Sequence, residues 1–195
     1  VMTNALLERK GAATGLITTA GFRDLLEIAR QIRPHTFDPF VSKPEPLVPR
    51  QLRLEVGERI AADGTVITPL DRASLERAIE ALQQAGVKAI AVCLLNSYAN
   101  PAHERAIADA LRARWPGVHV SISTDVLPEF REYERLSSTV VNAYLMPVTR
   151  EYFGAFAAEV AQMGVPEPPF IMNSGGGIMT PEQAGERPID TLFSG

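Results

Sequence analysis

Three stretches hold residue types capable of chemistry. Asn173-Ser174-Gly175-Gly176-Gly177 follows a short apolar run, Phe170-Ile171-Met172. Consecutive glycines admit positive φ angles and let backbone amides close on a ligand, and an oxyanion or phosphate is the natural guest. A tight structural turn is the competing reading, since the run lacks the spacing and lysine of a P-loop and the spacing of a dinucleotide fingerprint. The second stretch, Pro128 to Leu136, mixes Arg131, Glu132, Glu134 and Arg135 with Phe130, Tyr133 and Leu136 at three-residue intervals. It reads either as a helix start with a solvated, salt-bridged flank or as charged side chains delivered to a cleft beyond a strand end. Periodicity does not choose. The third is Asn96-Ser97-Tyr98, which closes an apolar run. Asn96 reads as a ligand contact or as a turn side chain bonding to nearby backbone.

The elements that position these residues are legible as an α/β alternation. Asn4 to Lys10 forms a short helix stopped at Gly11, and Gly15 to Thr19 a β-branched strand. A helix opens at Gly21-Phe22-Arg23-Asp24, with Leu25, Ile28, Ala29 and Ile32 as its apolar face, and ends at Pro34. Five prolines in residues 34–49 leave an extended loop, in which His35 has no second ligand at a metal-binding spacing. Leu52, Leu54 and Val56 alternate with charges, and Asp63-Gly64 is a turn signal, so 51–68 reads as a β-hairpin. Asp71 caps a helix with Leu75, Ala78, Ile79 and Leu82 on one face. Val87 to Leu95 reads as a strand covered on both faces. Pro101 starts another helix carrying Ile107, Ala110 and Leu111, and 118–123 is the next strand. The helix from about Arg131 reaches Pro147, where it is expected to kink or split, and continues to Met163. Thr180-Pro181-Glu182 opens a last capped helix. Helices alternating with strands favour parallel pairing by right-handed crossover.

Composition narrows the classes. A chain of 195 residues with 46% hydrophobic and 22% charged residues can bury a full core. A net charge of −4 with scattered Arg and Lys argues against nucleic-acid or polybasic membrane contact. No apolar run approaches the ~18–20 residues of a membrane span, and no secretory signal opens the chain; a cytoplasmic location is expected. The lone Cys93 sits in an apolar run, so neither a disulfide framework nor a cysteine metal site is expected. The chain opens at Val1-Met2-Thr3-Asn4 and stops at Phe193-Ser194-Gly195, which reads as a fragment.

Taken together, the stretches resemble the ATP-dependent hydantoinase/5-oxoprolinase family, in particular its N-methylhydantoinase A type. The resemblance rests on Thr3 to Gly11, Gly15 to Thr19 with Gly21 to Asp24, Asn96-Ser97-Tyr98, Pro128 to Arg135 with Asn142 to Leu145, Asn173 to Gly177, and Leu192 to Gly195. It implies an α/β, ribonuclease-H-like domain fragment of the actin/hexokinase type, with a mixed sheet, crossover helices and the inserted hairpin. Residues 1–145 would form the N-terminal region and 146–195 the start of a second. The implied activity is ATP-dependent opening of a cyclic amide or imide through phosphorylation of its ring oxygen, with Mg²⁺ held by nucleotide and water and no protein metal site. In that light Thr3, Asn4, Gly175, Gly176, Gly177, Ser194 and Gly195 fall to nucleotide and phosphate binding. Asn96 and Asn173 fall to the substrate cleft, and Arg131, Glu134 and Arg135 to catalysis. The isolated fragment is expected to be inactive, and the resemblance implies both an oligomer and a B-type partner polypeptide. The alternatives are a component of an ATP-dependent ketone carboxylase and a non-catalytic interaction module.

Overall fold

The computed structural model describes residues 2–32, 37, 38 and 40–193. His35 and Pro34 lie outside the described residues, as do Ser194 and Gly195. In chain order the elements are α1 (Met2–Leu7), β1 (Thr14–Thr19), α2 (Leu25–Ile28), β2 (Arg53–Val56), β3 (Arg59–Ile60), β4 (Val66–Thr68), α3 (Arg72–Gln84) and β5 (Ala89–Cys93). There follow α4 (Ala102–Arg114), β6 (His119–Ile122), α5 (Ser123–Val126), α6 (Glu132–Gln162), β7 (Ile171–Met172), β8 (Ile178–Met179) and α7 (Pro181–Glu186).

The main sheet has the order β2-β1-β5-β6, and every pair in it is parallel. The expected mixed sheet is therefore corrected. Among the described residues antiparallel pairing is confined to two separate ribbons, β3-β4 and β7-β8. Strand alternation sorts the core by size. Ile17, Ile90 and Val92 face α3 and α4, where they meet Leu75, Ile79, Leu82, Ile107 and Leu111. Leu16, Ala89, Ala91 and Cys93 face α6, meeting Leu136, Val140 and Ala143. Small side chains at Ala89 and Ala91 let the long helix lie close against the strands.

The capped helix α3 forms as read: Asp71 accepts from the amides of Ala73 and Ser74, and all four expected apolar residues are buried. Thr180 and Gln183 close a capping box on α7. Four readings are corrected. First, the 51–68 hairpin shrinks to β3-β4 around Asp63-Gly64, while Arg53–Val56 joins β1 as a parallel edge strand. The alternation of 52–56 suits either partner, and only β1, distant in sequence, decides. Second, the helix from Gly21 keeps one turn. Ala29 and Gln31 have φ of 52° and 57°, and Lys43 Nζ takes the carbonyls of Glu27 and Ile28 at 3.4 and 3.0 Å, closing the helix end. Third, α6 is not split at Pro147 but runs unbroken for 31 residues. Burial of Ala143 to Met146 before the proline and of Thr149 after it holds both halves in place. Fourth, Phe130, Tyr133 and Leu136 do not share a helix face, because Phe130 precedes α6 and is exposed, whereas Arg135 is buried.

Ile79 is fully buried between α3 and the sheet. Its substitution by alanine is expected to lower unfolding free energy by about 2–5 kcal/mol, read from urea denaturation. A loss below about 1 kcal/mol would mean this layer is not the core.

Candidate active site

The connection from β1 first leads to β2 on one side, and the chain then returns to β5 on the other. That reversal makes the carboxyl ends of β1 and β5 the crevice where open parallel sheets hold ligands. Thr18, Cys93, Leu94, Leu95, Glu132 and Arg135 line a small space there.

Two buried polar chains organise this end of the sheet. Thr19 Oγ1, at the end of β1, accepts from the amide of Leu95 at 2.9 Å and donates to Glu58, whose other oxygen lies 2.8 Å from His103 Nδ1. In the second chain Glu104, fully buried on α4, takes the amides of Leu94 at 2.9 Å and Thr124 at 3.0 Å and the hydroxyls of Ser97 at 2.8 Å and Ser123 at 2.6 Å. Arg135 faces it 4.0 Å away. Its guanidinium donates to the Leu94 carbonyl and Ser123 Oγ, both at 2.9 Å, and to Ser97, and lies 5.7 Å from the Tyr98 ring. Arg135 Nε is buried with no hydrogen-bond partner among the described residues.

The other candidates in this region differ in access. Glu134 is held by Arg30, 2.6 Å from its Nε, and its carboxyl lies below the usual range through its backbone hydrogen bond, with Arg30 adding to the effect. Arg131, at the N-cap of α6, is exposed, lies over the Phe130 ring at 5.8 Å and has no carboxylate within ion-pair distance among the described residues. Asn96 adopts φ 57° and gives its side-chain amide to the Ile60 carbonyl at 2.9 Å, fastening the β3-β4 ribbon.

The nucleotide candidates gather elsewhere. Gly175 and Gly177 amides converge on Asn173 Oδ1 at 2.9 and 2.8 Å, with Gly176 at φ 85°. A Cβ on Gly177 would lie 3.0 Å from Asn173 Nδ2, so the turn fits closely around that side chain. Ser174 receives the Phe193 amide at 2.9 Å, and Thr3 Oγ1 bonds to the Leu192 carbonyl. Thr3 and the glycine turn are thus tied to the same segment, 190–193. Asn4 is exposed on α1, its carbonyl bound by the Glu8 amide at 2.8 Å. The structure joins Arg135 to the turn holding Asn96, and Thr3 to the glycine turn, but no described hydrogen bond links the two groups directly.

Sequence reading missed Glu104, Ser123, Glu58, His103 and the buried Arg53, and gave Ser97 no role beyond its place in the polar strand end. Arg53 donates to the Val48 carbonyl and to Glu27, both at 2.9 Å. The one signal was the polar character of strand ends and of the first turn of α4. An acid in a helix's first turn is ordinarily explained by the helix dipole, which hid Glu104.

Fold and crevice together define an open, parallel-sheet α/β protein with a polar, tightly bonded strand-end site. Its residues 1–115 match the hydantoinase/oxoprolinase N-terminal region and residues 135–195 the hydantoinase/oxoprolinase model. The chain belongs to the hydantoinase/oxoprolinase family. It is 37% identical over 197 residues to the alpha chain of the caprolactamase of Pseudomonas jessenii, covering 100% of this chain and 28% of that protein. The crystal structure of that ATP-dependent caprolactamase superposes with a TM-score of 0.92 at 36% identity, over 100% of this chain and 28% of that one. Identity to 5-oxoprolinase 1 of Arabidopsis thaliana is 35%, over 82% of this chain and 14% of that protein. Nucleotide-free acetone carboxylase superposes with a TM-score of 0.84 at 25% identity, over 99% of this chain and 29% of that one. The chain thus spans well under a third of each of these proteins.

Two outcomes test the site's physics. Arg135→Met leaves the Glu104 carboxylate buried without its cation and is expected to cost about 3–5 kcal/mol in urea denaturation; an unchanged midpoint would remove the pair from the fold's supports. Burial pushes the Cys93 thiol from 9.0 up to about 12, so iodoacetamide at pH 8 is expected to leave it unmodified until the protein unfolds. Alkylation of the native protein at the rate of a free thiol would contradict its enclosure.

Proposed function

We propose that this chain is part of an ATP-dependent hydrolase that opens cyclic amides of the hydantoin or 5-oxoproline type. The observation carrying the proposal is the likeness to the ATP-dependent caprolactamase over the whole chain, with a higher TM-score and identity than the likeness to acetone carboxylase. In the reaction, the ring carbonyl oxygen attacks the γ-phosphorus of ATP, and an O–P bond forms as the bond to ADP breaks. Water then adds to the activated carbon, the ring C–N bond breaks as the nitrogen takes up a proton, and a second water cleaves the resulting acyl phosphate to carboxylate and phosphate. Phosphoryl transfer of this kind needs positioning and charge neutralisation above all.

The glycine turn fits a phosphate in its donor set, since two amides already converge on one oxygen, that of Asn173. On this reading Gly175 to Gly177, with Thr3 and Asn4 nearby and Ser194-Gly195 following, hold the nucleotide between ribonuclease-H-like domains of the actin/hexokinase kind. The division at residue 145, the Mg²⁺ carried by ATP, a B-type partner polypeptide, an oligomer and a cytoplasmic location belong to the same proposal. Arg131 meets the substrate or its phosphate. Glu134 and the buried Arg135 position it, and Asn96 and Asn173 border the cleft.

The intact enzyme, supplied with ATP, is expected to release ADP faster when hydantoin, 5-oxoproline or caprolactam is added, while the isolated 195 residues do neither. Stimulation by a ketone with bicarbonate, and by no cyclic amide, would replace this reading with the ketone carboxylase, which the acetone carboxylase likeness keeps second. Arg131→Ala in the intact enzyme is expected to lower kcat/KM about 10- to 100-fold at a stability cost under about 0.5 kcal/mol. An unchanged rate would return Arg131 to the scaffold.

A further inference from the structure

Glu132 stands in the first turn of α6, three residues before Arg135 and so on the same face of the helix. It lines the small space at the carboxyl ends of β1 and β5 with Thr18, Phe22, Leu25, Cys93 and Arg135. An acid in a first turn ordinarily serves the helix dipole from solvent. Glu132 is instead half-buried, and its carboxylate has no hydrogen bond or ion pair among the described residues. Its charge reaches inward: burial raises the Cys93 thiol first, Arg135 opposes the shift, and Glu104 and Glu132 add to it.

Arg135 supplies an independent sign that this lining meets a ligand. Its Nε is buried without a partner among the described residues, although its other two nitrogens are bonded to Leu94, Ser97 and Ser123. Buried polar groups are almost always satisfied, and one left open in a native protein calls for an explanation. The space measures about 10 Å³, enough for one water-sized group and too small for a ring. A ligand therefore rests at its mouth and offers one polar group inward. Phe22 and Leu25 give the lining an apolar part for ring methylenes, and Glu132 gives it an acceptor. A cyclic amide with a free N–H matches both.

We propose that Glu132 is a catalytic residue that accepts the ring N–H of a cyclic secondary amide and takes its proton as the ring oxygen is phosphorylated. This rests on the hydrolase reading above. The ring carbonyl oxygen forms its bond to the γ-phosphorus of ATP while the bond from that phosphorus to ADP breaks. The nitrogen of the phosphorylated amide is then positively charged and its proton acidic. That proton passes to the Glu132 carboxylate, the N–H electron pair closes a C=N bond, and an imidoyl phosphate remains. A positioned carboxylate suits such a transfer. The substrate class follows, because a cyclic amide methylated at nitrogen has no proton to give.

The test measures ADP release by the intact enzyme with hydantoin, 5-oxoproline and caprolactam, each beside its form methylated at every ring nitrogen. The parent of the active pair is expected to stimulate release and its methylated form is not. In Glu132→Gln, which keeps the size of the side chain, kcat with that parent should fall about 100-fold. KM should change less than about threefold, and the urea midpoint should stay in place. Equal stimulation of the wild-type enzyme by parent and methylated form would overturn the proposal without any variant. So would a folded Glu132→Gln enzyme with unchanged kcat; a lowered urea midpoint at full kcat would assign Glu132 to an ion pair instead. Failure of every cyclic amide to stimulate the wild-type enzyme would remove the hydrolase reading itself, a result distinct from these.

Discussion

The enclosed pair of Glu104 and Arg135 is the constraint on which the arrangement of the strand ends depends. Ionised groups removed from water are costly unless their remaining hydrogen-bonding capacity is met. Here four donors satisfy the carboxylate, and the guanidinium reaches two hydroxyls and a carbonyl. The pair and its partners join four structural pieces: helices α4 and α6 carry Glu104 and Arg135, and the groups they bond lie in the bend after β5 and at the turn from β6 into α5. Moving any one of them would strand a buried charge. The pair therefore acts as a geometric lock more than as a source of net stability. Because Arg131 lies four residues before Arg135, about one helical turn, the lock also fixes where the exposed guanidinium begins the helix.

A second buried arginine does similar work at the opposite side of the sheet. Arg53 enters β2 with its guanidinium enclosed and binds the Val48 carbonyl and Glu27. It gathers the end of the proline-rich segment, the single turn of α2 and the edge strand into one joint. Arg50 reinforces that joint from outside with a two-point contact to Asp24 at 2.8 and 3.0 Å. The exposed pair contributes little energy by itself, but it draws the same two pieces together.

These two arginines explain what the sequence could and could not reveal. Helix α3 was legible because its cap at Asp71 and its apolar spacing lie within one short stretch. The covered strand β5 was legible because an uninterrupted apolar run leaves few alternatives. Thr180 followed by Pro181 announces the start of α7, and the structure adds Gln183 to its cap. By contrast, the partner of β2 is chosen by β1, more than thirty residues away, and local alternation reads equally well as a hairpin. Arg53 and Arg135 look like surface charges in any local window. Their burial follows from carboxylates and carbonyls that only the fold assembles. The candidate site was legible in its glycine turn and its charged run, and illegible in the buried Glu104 that holds the run in place.

Helix α6 is what makes one unit of the two separated groups of candidates. Arg135, near its start, is locked to the strand ends. Two turns later Asn142 donates to Ser121 Oγ at 3.0 Å and to the Glu186 carbonyl at 3.1 Å, and accepts from the Ile189 amide at 3.3 Å. Ile189 begins the segment whose continuation binds Ser174 beside the glycine turn and Thr3 on α1. Further along, Thr149 meets the sulfur of Met2 at 2.7 Å. A single helix thus carries fixed contacts to the sheet, to the glycine turn's supports and to α1. Arg135, Asn142 and the Val141, Tyr144 and Leu145 side chains that pack beside α1 all precede Pro147, so the first half of α6 holds both groups in one frame, and the helix beyond the proline adds the Thr149 contact to Met2.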